Sequence, residues 1–295
     1  MLSNIKIGKM NCYRYNIGLW EYDPVMTELH AYSLLKGHPI DRDINYLAFP
    51  WSMLQHFKQL DTLPKLKLGG GFTICQTIYY EQIIPILQEM GVDTLFTPHV
   101  YKDYSGIKVL PFPHYPVNAI TSSTKKDILL SFVGAIHTHP VRKKMLEMPK
   151  KDNVFIKERK VWHFDRNLYK PKCMTEDEQQ SDSLEYKDVL ARSRFSLCPA
   201  GRGASTIRFW ESLAAGAIPV LVCDLMRLPQ VRSVNWDECI IRIPEESILQ
   251  VNDILDGISV REEESMRSRC LKAYEFLSGK NFVNCIREYY GQFER

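Results

Sequence analysis

The amino-acid sequence predicts an α/β fold in two domains. Short apolar runs alternate with stretches of helical periodicity along most of the 295 residues. Three prolines stand close together within residues 109–116, and the polar run 121–127 follows, which indicates a connection between two domains. Between residues 194 and 224, a strand, a glycine turn, a helix and a second apolar strand succeed one another. Such a β-loop-α-β unit is typical of a parallel sheet.

The first half of the sequence alternates between the two periodicities. Apolar residues at helical spacing predict helices over 27–35, 53–60 and 82–90. Compact apolar runs predict strands over 46–49 and 94–97. Together these elements predict a first α/β block.

The second half repeats the alternation. A buried strand is predicted over 128–133, and Gly134 is expected to open a loop into a helix near 140–147, where proline suits the first helical position. The other expected elements are a strand at 153–164, a polar loop at 170–182, a helix at 184–191, a strand at 236–243 and a helical end at 262–290. We therefore expect a second α/β block.

The composition excludes several classes of protein. Apolar residues make up 45% and charged residues 25% of the chain, which are ordinary globular values, so disorder is not the expected state. A net charge of +3, from 38 basic and 35 acidic residues, gives no extended basic field, so no nucleic-acid partner is predicted. The eight cysteines form no CxxC pair and are expected to be reduced. Since no signal peptide or membrane span is recognisable, a cytoplasmic protein is expected.

The glycine turn before the helix in residues 194–224 has the composition of an anion site. Gly201, Arg202 and Gly203 form a turn whose backbone can approach a ligand closely. Ser205 or Thr206 can cap the helix, and the free N–H groups of its first turn can donate to a phosphate. An anion is therefore expected at the start of this helix.

Two side chains of the same helix extend the predicted site. Arg208, in the first turn, opposes the positive end of the helix dipole, and a bound anion between them explains its position best. Glu211 follows on the same face, where a carboxylate can accept both hydroxyls of a ribose. The pattern recurs after the strand at 128–133, because the loop at Gly134 leads to Arg142. Arg142 alone would suggest a solvated basic face, but the recurrence favours two arginines that converge on a diphosphate.

Candidates for acid-base chemistry are less sharply defined. His99 ends a predicted strand, where open α/β sheets bind ligands, and Asp43, Asp23 and His114 follow it in order of preference. An ordinary loop histidine remains an equal alternative for His99. The Asp41-Arg-Asp43 triplet imitates a metal-binding DxD motif but does not follow an apolar strand, so capping is the preferred interpretation. The pair His137 and His139 has no third metal ligand at a recognisable spacing, and no metal site is predicted.

The glycine turn also imitates a dinucleotide-binding fingerprint. Gly201 and Gly203 follow a strand, and Asp224 ends the next strand at the expected distance. The imitation is partial, because Thr206 occupies the place of the third glycine. A nicotinamide site also requires neither Arg208 nor Glu211. An NAD-dependent oxidoreductase is therefore a weaker alternative.

The segment from Tyr186 to Ile243 resembles the exostosin-like glycosyltransferases, glycosyltransferase family 47. The matching pieces occur in family order and at family spacing. They are the stretch 186–193, FSLCP at 195–199, GRG at 201–203, Ser205, RFWE at 208–211, AGAIPV at 215–220, LP at 228–229 and NW at 235–236. The stretch SFVG at 131–134 with Arg142 is similar to the start of the family's donor domain, and the first half of the chain resembles the family more loosely.

This resemblance implies a GT-B architecture, in which two Rossmann-like domains face each other across a cleft. The expected bounds are 1–120 for an acceptor-side domain, 121–270 for a nucleotide-sugar domain, and 271–295 for a C-terminal helix that returns to the first domain. The family uses nucleotide-sugars, mostly UDP-sugars, and transfers the sugar with inversion to a glycan acceptor. In this chain, Arg208 and the turn from Gly201 to Ser205 would hold the diphosphate, and Glu211 the ribose. Gly134 and Arg142 would contribute further contacts.

The chain also departs from the family pattern. Animal and plant members are typically membrane-anchored Golgi proteins, and the sequence given has neither anchor nor stem, so the compartment does not follow from the resemblance. Residues 68–76 lack the glycine-histidine pattern of many members, which leaves the acceptor site open. The sequence thus predicts an inverting glycosyltransferase without metal or cofactor. The alternative is a non-catalytic subunit of the same fold that binds nucleotide-sugars.

Overall fold

The computed structural model describes residues 1–15, 18–22, 26–121, 124–162, 165 and 173–291. The chain forms two compact units. The first unit consists of Met1–Tyr115, Met226–Val231 and Phe276–Arg295, and the second of Pro116–Leu225 and Arg232–Glu275.

The first unit is built on a six-stranded sheet. Its strands are β1 (Leu2–Ile7), β2 (Met10–Tyr15), β3 (Asn45–Ala48), β4 (Phe72–Ile74), β5 (Thr94–Thr97) and β6 (Lys108–Pro111). They lie in sequence order; β1 and β2 form an antiparallel hairpin, and β2 to β6 are parallel. The carboxyl ends of β2 to β6 therefore meet at one edge of the sheet, the edge at which open α/β sheets bind ligands.

Three helices connect these strands: α1 (Met26–Gly37), α2 (Trp51–His56) and α3 (Ile84–Met90). Successive side chains of a strand point to opposite faces, so each strand packs on both sides. Leu47 of β3 and Leu95 of β5 lie in one hydrophobic cluster with Leu54 of α2 and Leu87 of α3. This cluster forms the core on one face of the sheet.

The second unit contains a five-stranded parallel sheet. Its strands are β7 (Ile128–Ala135), β8 (Val154–Arg159), β9 (Ser193–Pro199), β10 (Ile218–Val222) and β11 (Ile241–Arg242). Their spatial order is β8-β7-β9-β10-β11. The chain thus starts in β7, moves outward to β8, and returns to the other side of β7. The strand order reverses between β7 and β9, and the crevice at such a switch point is where doubly wound sheets bind ligands.

The described α-helices that follow β7, up to the C-terminal segment, are α4 (Pro140–Lys144), α5 (Glu176–Arg192), α6 (Ile207–Ala214), α7 (Val251–Asp256) and α8 (Val260–Leu277), whose last two residues belong to the first unit. Helix α5 begins with a capping box, in which Thr175 and Glu178 each bond the backbone N–H of the other. The strand β9, the turn after it, α6 and β10 form the predicted β-loop-α-β unit.

The C-terminal segment packs within the first unit. After a turn at Gly279, the short helix α9 (Asn284–Tyr289) follows. The ring of Phe282 packs against Phe112 at a centroid distance of 5.1 Å, and the ring of Tyr290 packs against Phe72 at 5.5 Å. Thr73 pairs with Leu47 of the leucine cluster, so these two side chains lie on the same face of the sheet. Phe72 precedes Thr73, so its side chain points to the opposite face. The contact of Tyr290 with Phe72 therefore covers the face opposite to the leucine cluster.

The predicted α/β class, with two Rossmann-like domains, is confirmed; the first sheet is parallel apart from its antiparallel strand β1. Some elements were predicted wrongly. The polar loop expected at 170–182 includes the start of α5, because the capping box stabilises a helix with little apolar periodicity. The strand expected at 236–243 is a 3₁₀ turn followed by the two-residue strand β11. A loop was expected to begin at Gly134, but strand β7 continues through Gly134 to Ala135.

Candidate functional site

The site lies in the second unit, at the carboxyl ends of β7 and β9. These two strands are parallel neighbours, and the order of the sheet reverses between them. Gly134 is the second-last residue of β7, and the turn 200–206 leads from β9 into α6. The structure therefore brings Gly134, which lies in the strand and not in the predicted loop, next to the glycine turn after β9 at the switch point, where doubly wound sheets bind their ligands.

Arg142 joins the ends of the two strands. Its Nε donates to the carbonyl of Ala200 at 2.7 Å, Nη1 to that of Ala135 at 2.9 Å and Nη2 to that of Pro199 at 3.2 Å. The side chain is only 8% exposed. Burial, and then repulsion from Arg208, lower the pKa of Arg142 to about 9, so it stays cationic at neutral pH. Arg142 thus fixes the crevice and adds positive charge to it, and its role in ligand binding stays a prediction.

Arg208 lies beside this crevice, enclosed by aromatic rings. Its guanidinium carbon is 4.4 Å from the ring centroid of Phe132 and 5.0 Å from that of Tyr186. Its Nη2 donates to the carbonyl of Val133. A Cβ added to Gly134 would stand 2.7 Å from the same nitrogen, so the glycine leaves the space that the guanidinium fills. The cation is held at the end of β7, and the residue is partly exposed.

The start of α6 offers unused hydrogen-bond donors. Thr206 takes the N-cap position, but its side chain makes no capping hydrogen bond, contrary to the expectation of a cap at Ser205 or Thr206. Ser205 is buried, and within the described part of the chain its Oγ has no hydrogen-bond partner. The same holds for Nε of Arg208. Since buried polar groups are normally bonded, these donors together indicate a place for an anionic ligand.

The glycine turn itself is partly open to solvent. Gly201 and Gly203 are partly exposed, and a Cβ at Gly201 would stand 3.4 Å from Nη2 of Arg142. Arg202 is exposed, with its guanidinium carbon 4.2 Å from the ring centroid of Trp162. Trp162 follows β8, so the turn reaches across the end of β7 to the neighbouring strand. A flat cation stacked on an indole gives this end of the crevice a planar wall.

Glu211 is anchored inside the second unit. It is 4% exposed, its Oε1 accepts from the backbone N–H of Asn118 at 2.8 Å, and its Oε2 accepts from the hydroxyl of Tyr186 at 2.6 Å. Each carboxylate oxygen keeps a second lone pair. The predicted contact with a ribose stays a prediction. The observed bonds show that Glu211 also fixes Tyr186, whose ring encloses Arg208.

Tyr186 and Phe132 are the residues that motif reasoning did not single out. Phe132 lies on β7 and Tyr186 on α5, far from Arg208 along the chain. No spacing rule connects three such distant positions. The folded structure brings both rings close to one guanidinium.

The candidate base His99 lies in the first unit, just after β5 and at the carboxyl edge of the sheet. Burial lowers the pKa of His99 to about 4, against the effect of its hydrogen bond to the backbone of Gln76. Its ring lies 4.9 Å from that of His114, whose pKa burial also lowers well below the usual value. Both imidazoles are therefore uncharged at neutral pH.

The structure does not bring Asp43 to these histidines. Asp43 precedes β3, at the amino end of a parallel strand, and its exposed carboxylate pairs with Lys6 at 3.3 Å. Residues that follow parallel strands gather at one edge, so Asp43 and His99 lie at opposite edges of the sheet. Asp23, a further predicted base, lies outside the described residues.

The histidine pair in the loop after β7 has a structural role for one member. His139 is the N-cap of α4 and accepts from the N–H of Val141, and its Nδ1 lies 3.7 Å from a carboxylate oxygen of Glu245. In the ranges that the structure describes, no three His, Cys, Asp or Glu side chains group closely enough to hold a metal ion. No described helix is both long and apolar enough to cross a membrane. All eight cysteines are free thiols, and seven of them are buried.

Comparison with known proteins identifies related sequences. The Exostosin GT47 domain family matches residues 82–258. The Exostosin-1 homolog of Caenorhabditis elegans is 30% identical over 111 residues, which are 38% of this chain and 29% of that protein. The Arabidopsis thaliana protein named probable glucuronoxylan glucuronosyltransferase IRX7 is 25% identical over 181 residues, 59% of this chain and 37% of that protein. The chain thus spans less than two fifths of these relatives.

Among solved structures, the DNA-modifying enzyme β-glucosyltransferase, determined with and without uridine diphosphoglucose, is similar at a TM-score of 0.42. The sequence identity is 13%, and the match covers 86% of this chain and 82% of the other.

Proposed function

This chain belongs to the Exostosin GT47 domain family, and from that premise we propose that it is a glycosyltransferase. It moves a sugar from a nucleotide-sugar, a UDP-sugar in our proposal, to a hydroxyl group of a glycan acceptor. The names of the matching relatives, exostosins and probable glucuronosyltransferases, support sugar transfer. The diphosphate of the donor lies at the switch point of the second unit.

One observation carries this proposal. At the switch point, the Arg208 guanidinium lies against two aromatic rings, while its Nε and the buried Oγ of Ser205 have no partner among the described groups. A buried polar group without a partner costs about 1–3 kcal/mol. A diphosphate supplies acceptor oxygens for both groups and for the free N–H groups of α6, and it neutralises the charge of Arg142 and Arg208.

The same groups account for the rate of transfer. The acceptor oxygen attacks the anomeric carbon from the face opposite to the diphosphate, which gives inversion, and the bond to the diphosphate breaks. Negative charge then grows on the leaving group. Fixed cations and helix N–H groups stabilise this charge in the transition state, and in our proposal they act in place of a metal ion. Loss of one such donor typically costs about 3 kcal/mol, or roughly a hundredfold in rate.

Binding of UDP by calorimetry, and release of UDP from a panel of UDP-sugars, test the proposal. The panel contains UDP-glucose, UDP-galactose, UDP-xylose, UDP-glucuronic acid and UDP-N-acetylglucosamine, with mixed oligosaccharides as acceptors. We expect the native protein to bind UDP and to cleave one of these donors. Arg208→Ala should fold, bind UDP more weakly, and release UDP about a hundredfold more slowly. Arg261→Ala, which removes an exposed arginine of α8 in the same unit, is the matched control and should behave like the native protein.

The alternatives give different results in the same assays. A non-catalytic subunit would bind UDP and cleave no donor. A nicotinamide enzyme would bind NAD more tightly than UDP, and it would use Asp224, whose Oδ1 accepts from the N–H of Glu245 in this structure. Full activity in Arg208→Ala would refute the assignment of the diphosphate site.

A further inference from the structure

A second group of buried polar side chains lies in the first unit, at the carboxyl edge of its sheet. Glu28 stands in the first turn of α1, Ser52 in the first turn of α2 after β3, and Gln76 just after β4. His99 follows β5 and hydrogen-bonds to the backbone of Gln76. Parallel strands bring these residues to the ligand-binding edge, although they are far apart in sequence.

The two oxygens of Glu28 differ in their surroundings. Oε1 accepts from the hydroxyl of Ser52 at 2.9 Å and from the N–H of Gln76 at 3.1 Å. Oε2 is enclosed and has no hydrogen-bond partner in the ranges described. The side chain is 1% exposed. A carboxylate is therefore held rigidly through one oxygen while the other is left as an unused acceptor, and such an oxygen calls for a donor from a ligand or a water.

The surroundings of Glu28 make its carboxyl a stronger proton acceptor. Burial raises the pKa of Glu28 to about 7, against the bonds from Gln76 and Ser52 that lower it. Tyr46 on β3 and Cys75 after β4 interact electrostatically with Glu28, and His99 after β5 bonds the backbone of Gln76, whose N–H bonds Glu28. Burial keeps each of these uncharged at neutral pH, because it raises the pKa of Tyr46 and of Cys75 well above their usual values and lowers that of His99.

We propose, on the basis of the proposed function, that Glu28 accepts the proton of the acceptor hydroxyl through its free Oε2. The hydroxyl binds at the carboxyl edge of the first-unit sheet. Since Oε2 is enclosed, one water molecule bridges Oε2 and the acceptor hydroxyl and carries the proton between these two groups. General bases act either in direct contact or through one such water.

The step balances as a simple displacement. The O–H bond of the acceptor breaks, and its proton passes by way of the water to Oε2. The electron pair of that bond stays on the acceptor oxygen, which forms the new bond to the anomeric carbon. The bond from that carbon to the diphosphate breaks, and its electron pair leaves with the nucleoside diphosphate. Glu28 is then a neutral carboxylic acid, which returns its proton to solvent.

His99 is less suited to this step. A base is most effective when its pKa lies near the working pH, and the pKa of about 4 makes His99 a weak proton acceptor at neutral pH. Its Nδ1 has no partner among the described groups, so it can hydrogen-bond a ligand as a neutral imidazole. Glu28 and His99 then have separate tasks at the same edge, one in proton transfer and one in binding.

The test measures UDP binding, and the rate of UDP release as a function of pH, with the donor that the panel identifies. We expect Glu28→Gln to bind UDP as the native protein does and to release it about a hundredfold more slowly. The native rate should fall below about pH 7, about tenfold per pH unit, because the carboxyl becomes protonated. The slow residual rate of Glu28→Gln should lack this acidic limb. Glu89→Gln, which changes an exposed carboxylate of α3 in the same unit, is the control and should keep the native profile.

Ser52→Ala provides a second, milder variant, in case Glu28→Gln does not fold. It removes a hydrogen bond that lowers the pKa of Glu28, so the acidic limb should move to higher pH. A merely structural role for Ser52 would lower the rate without moving the limb. A native rate and profile in Glu28→Gln, or an unmoved limb in Ser52→Ala, would overturn the role of Glu28 and leave the proposed function intact. If the native protein does not bind UDP, the proposed function fails, and the role of Glu28 fails with it.

Discussion

The guanidinium of Arg208 lies against the rings of Phe132 and Tyr186, which limits the conformations of a long and flexible side chain. A free arginine loses much side-chain entropy when it binds a ligand, whereas an enclosed one has already lost it on folding. The hydroxyl of Tyr186 is in turn fixed by Glu211. In our proposal, affinity for the diphosphate therefore depends on the two rings as well as on the cation itself.

The raised pKa of Glu28 makes stability depend on pH. Below about pH 4.5 the carboxyl is neutral in the folded and unfolded states and contributes no difference. Between about pH 4.5 and 7 the folded state holds the proton more tightly than the unfolded state, so the free energy of unfolding decreases as the pH rises. Above about pH 7 the loss is complete, at about 3 kcal/mol. Glu28→Gln removes this pH-dependent decrease in the free energy of unfolding. Urea unfolding of both proteins at about pH 5 and about pH 8 measures the difference.

Relative to the native protein, Glu28→Gln should thus gain stability as the pH rises. The same pair of measurements on Glu89→Gln should show no pH-dependent gain, because that carboxylate is exposed. An equal stability difference for Glu28→Gln at both pH values would show that Glu28 ionises normally in the folded protein.

At the scale of single residues, the sequence predicts candidate binding residues but not the contacts that hold them in place. The position of Arg208 in the first turn of a helix after a glycine turn is readable from local spacing. The contacts with Phe132 and Tyr186, and the bonds from Ser52 and Gln76 to Glu28, are not readable. They join positions on different strands and helices, and no periodicity relates such positions.

Among the elements, strand β7 shows how a single glycine shapes the site. Gly134 pairs within the sheet opposite Glu158, so it serves no turn, and its φ is not positive. Glycine is required here because it has no side chain. A Cβ would stand 2.7 Å from Nη2 of Arg208 and 3.2 Å from the ring of Phe132. The element thus leaves room for a cation at its end.

Gly134→Ala should therefore displace the guanidinium while the fold is retained, since the end of an arginine can move. We expect UDP to bind about tenfold more weakly, the effect of losing roughly one charge-assisted hydrogen bond. Calorimetry measures the affinity, and thermal unfolding confirms the fold. Gly257→Ala is the matched control in the same unit, because a Cβ there makes only ordinary contacts, the nearest at 3.5 Å. Native UDP affinity in Gly134→Ala would mean that Arg208 does not touch the nucleotide.

Helices and strands with strong apolar periodicity could be predicted from the sequence, and those with polar stabilisation could not. Strand β5 has the predicted bounds, and α1 differs from its predicted range by one or two residues at each end. Helix α5 begins earlier than predicted because its first turns are polar and are stabilised by the pair Thr175 and Glu178. The hairpin of β1 and β2 was not predicted, because its strands are only half buried and carry no long apolar run.

For the whole molecule, the order of the strands turns separate motifs into one site. The sequence predicts two glycine loops, each followed by an arginine, and it does not state that their strands are neighbours. In the second unit β7 and β9 pair in parallel, so Arg142 bonds carbonyl groups at the ends of both strands. Strand order depends on long-range packing and is the part of a fold that local patterns specify least.

In our proposal, the diphosphate of the donor and the hydroxyl of the acceptor bind at different sheets. The second-unit switch point carries cations and free N–H groups, which suit a diphosphate. The carboxyl edge of the first-unit sheet carries a buried carboxyl and two uncharged imidazoles, which suit a hydroxyl group. In our proposal, each sheet binds its ligand at its carboxyl edge, and the residues at that edge determine which ligand fits.

A crystal structure of the protein with UDP tests the central claim most directly. Our account predicts the diphosphate at the carboxyl ends of β7 and β9, with its oxygens about 3 Å from the Arg208 guanidinium and from the first N–H groups of α6. The Oγ of Ser205 should then donate to a phosphate oxygen. A diphosphate bound elsewhere, with the Arg208 guanidinium still enclosed and making no contact with it, would contradict the account.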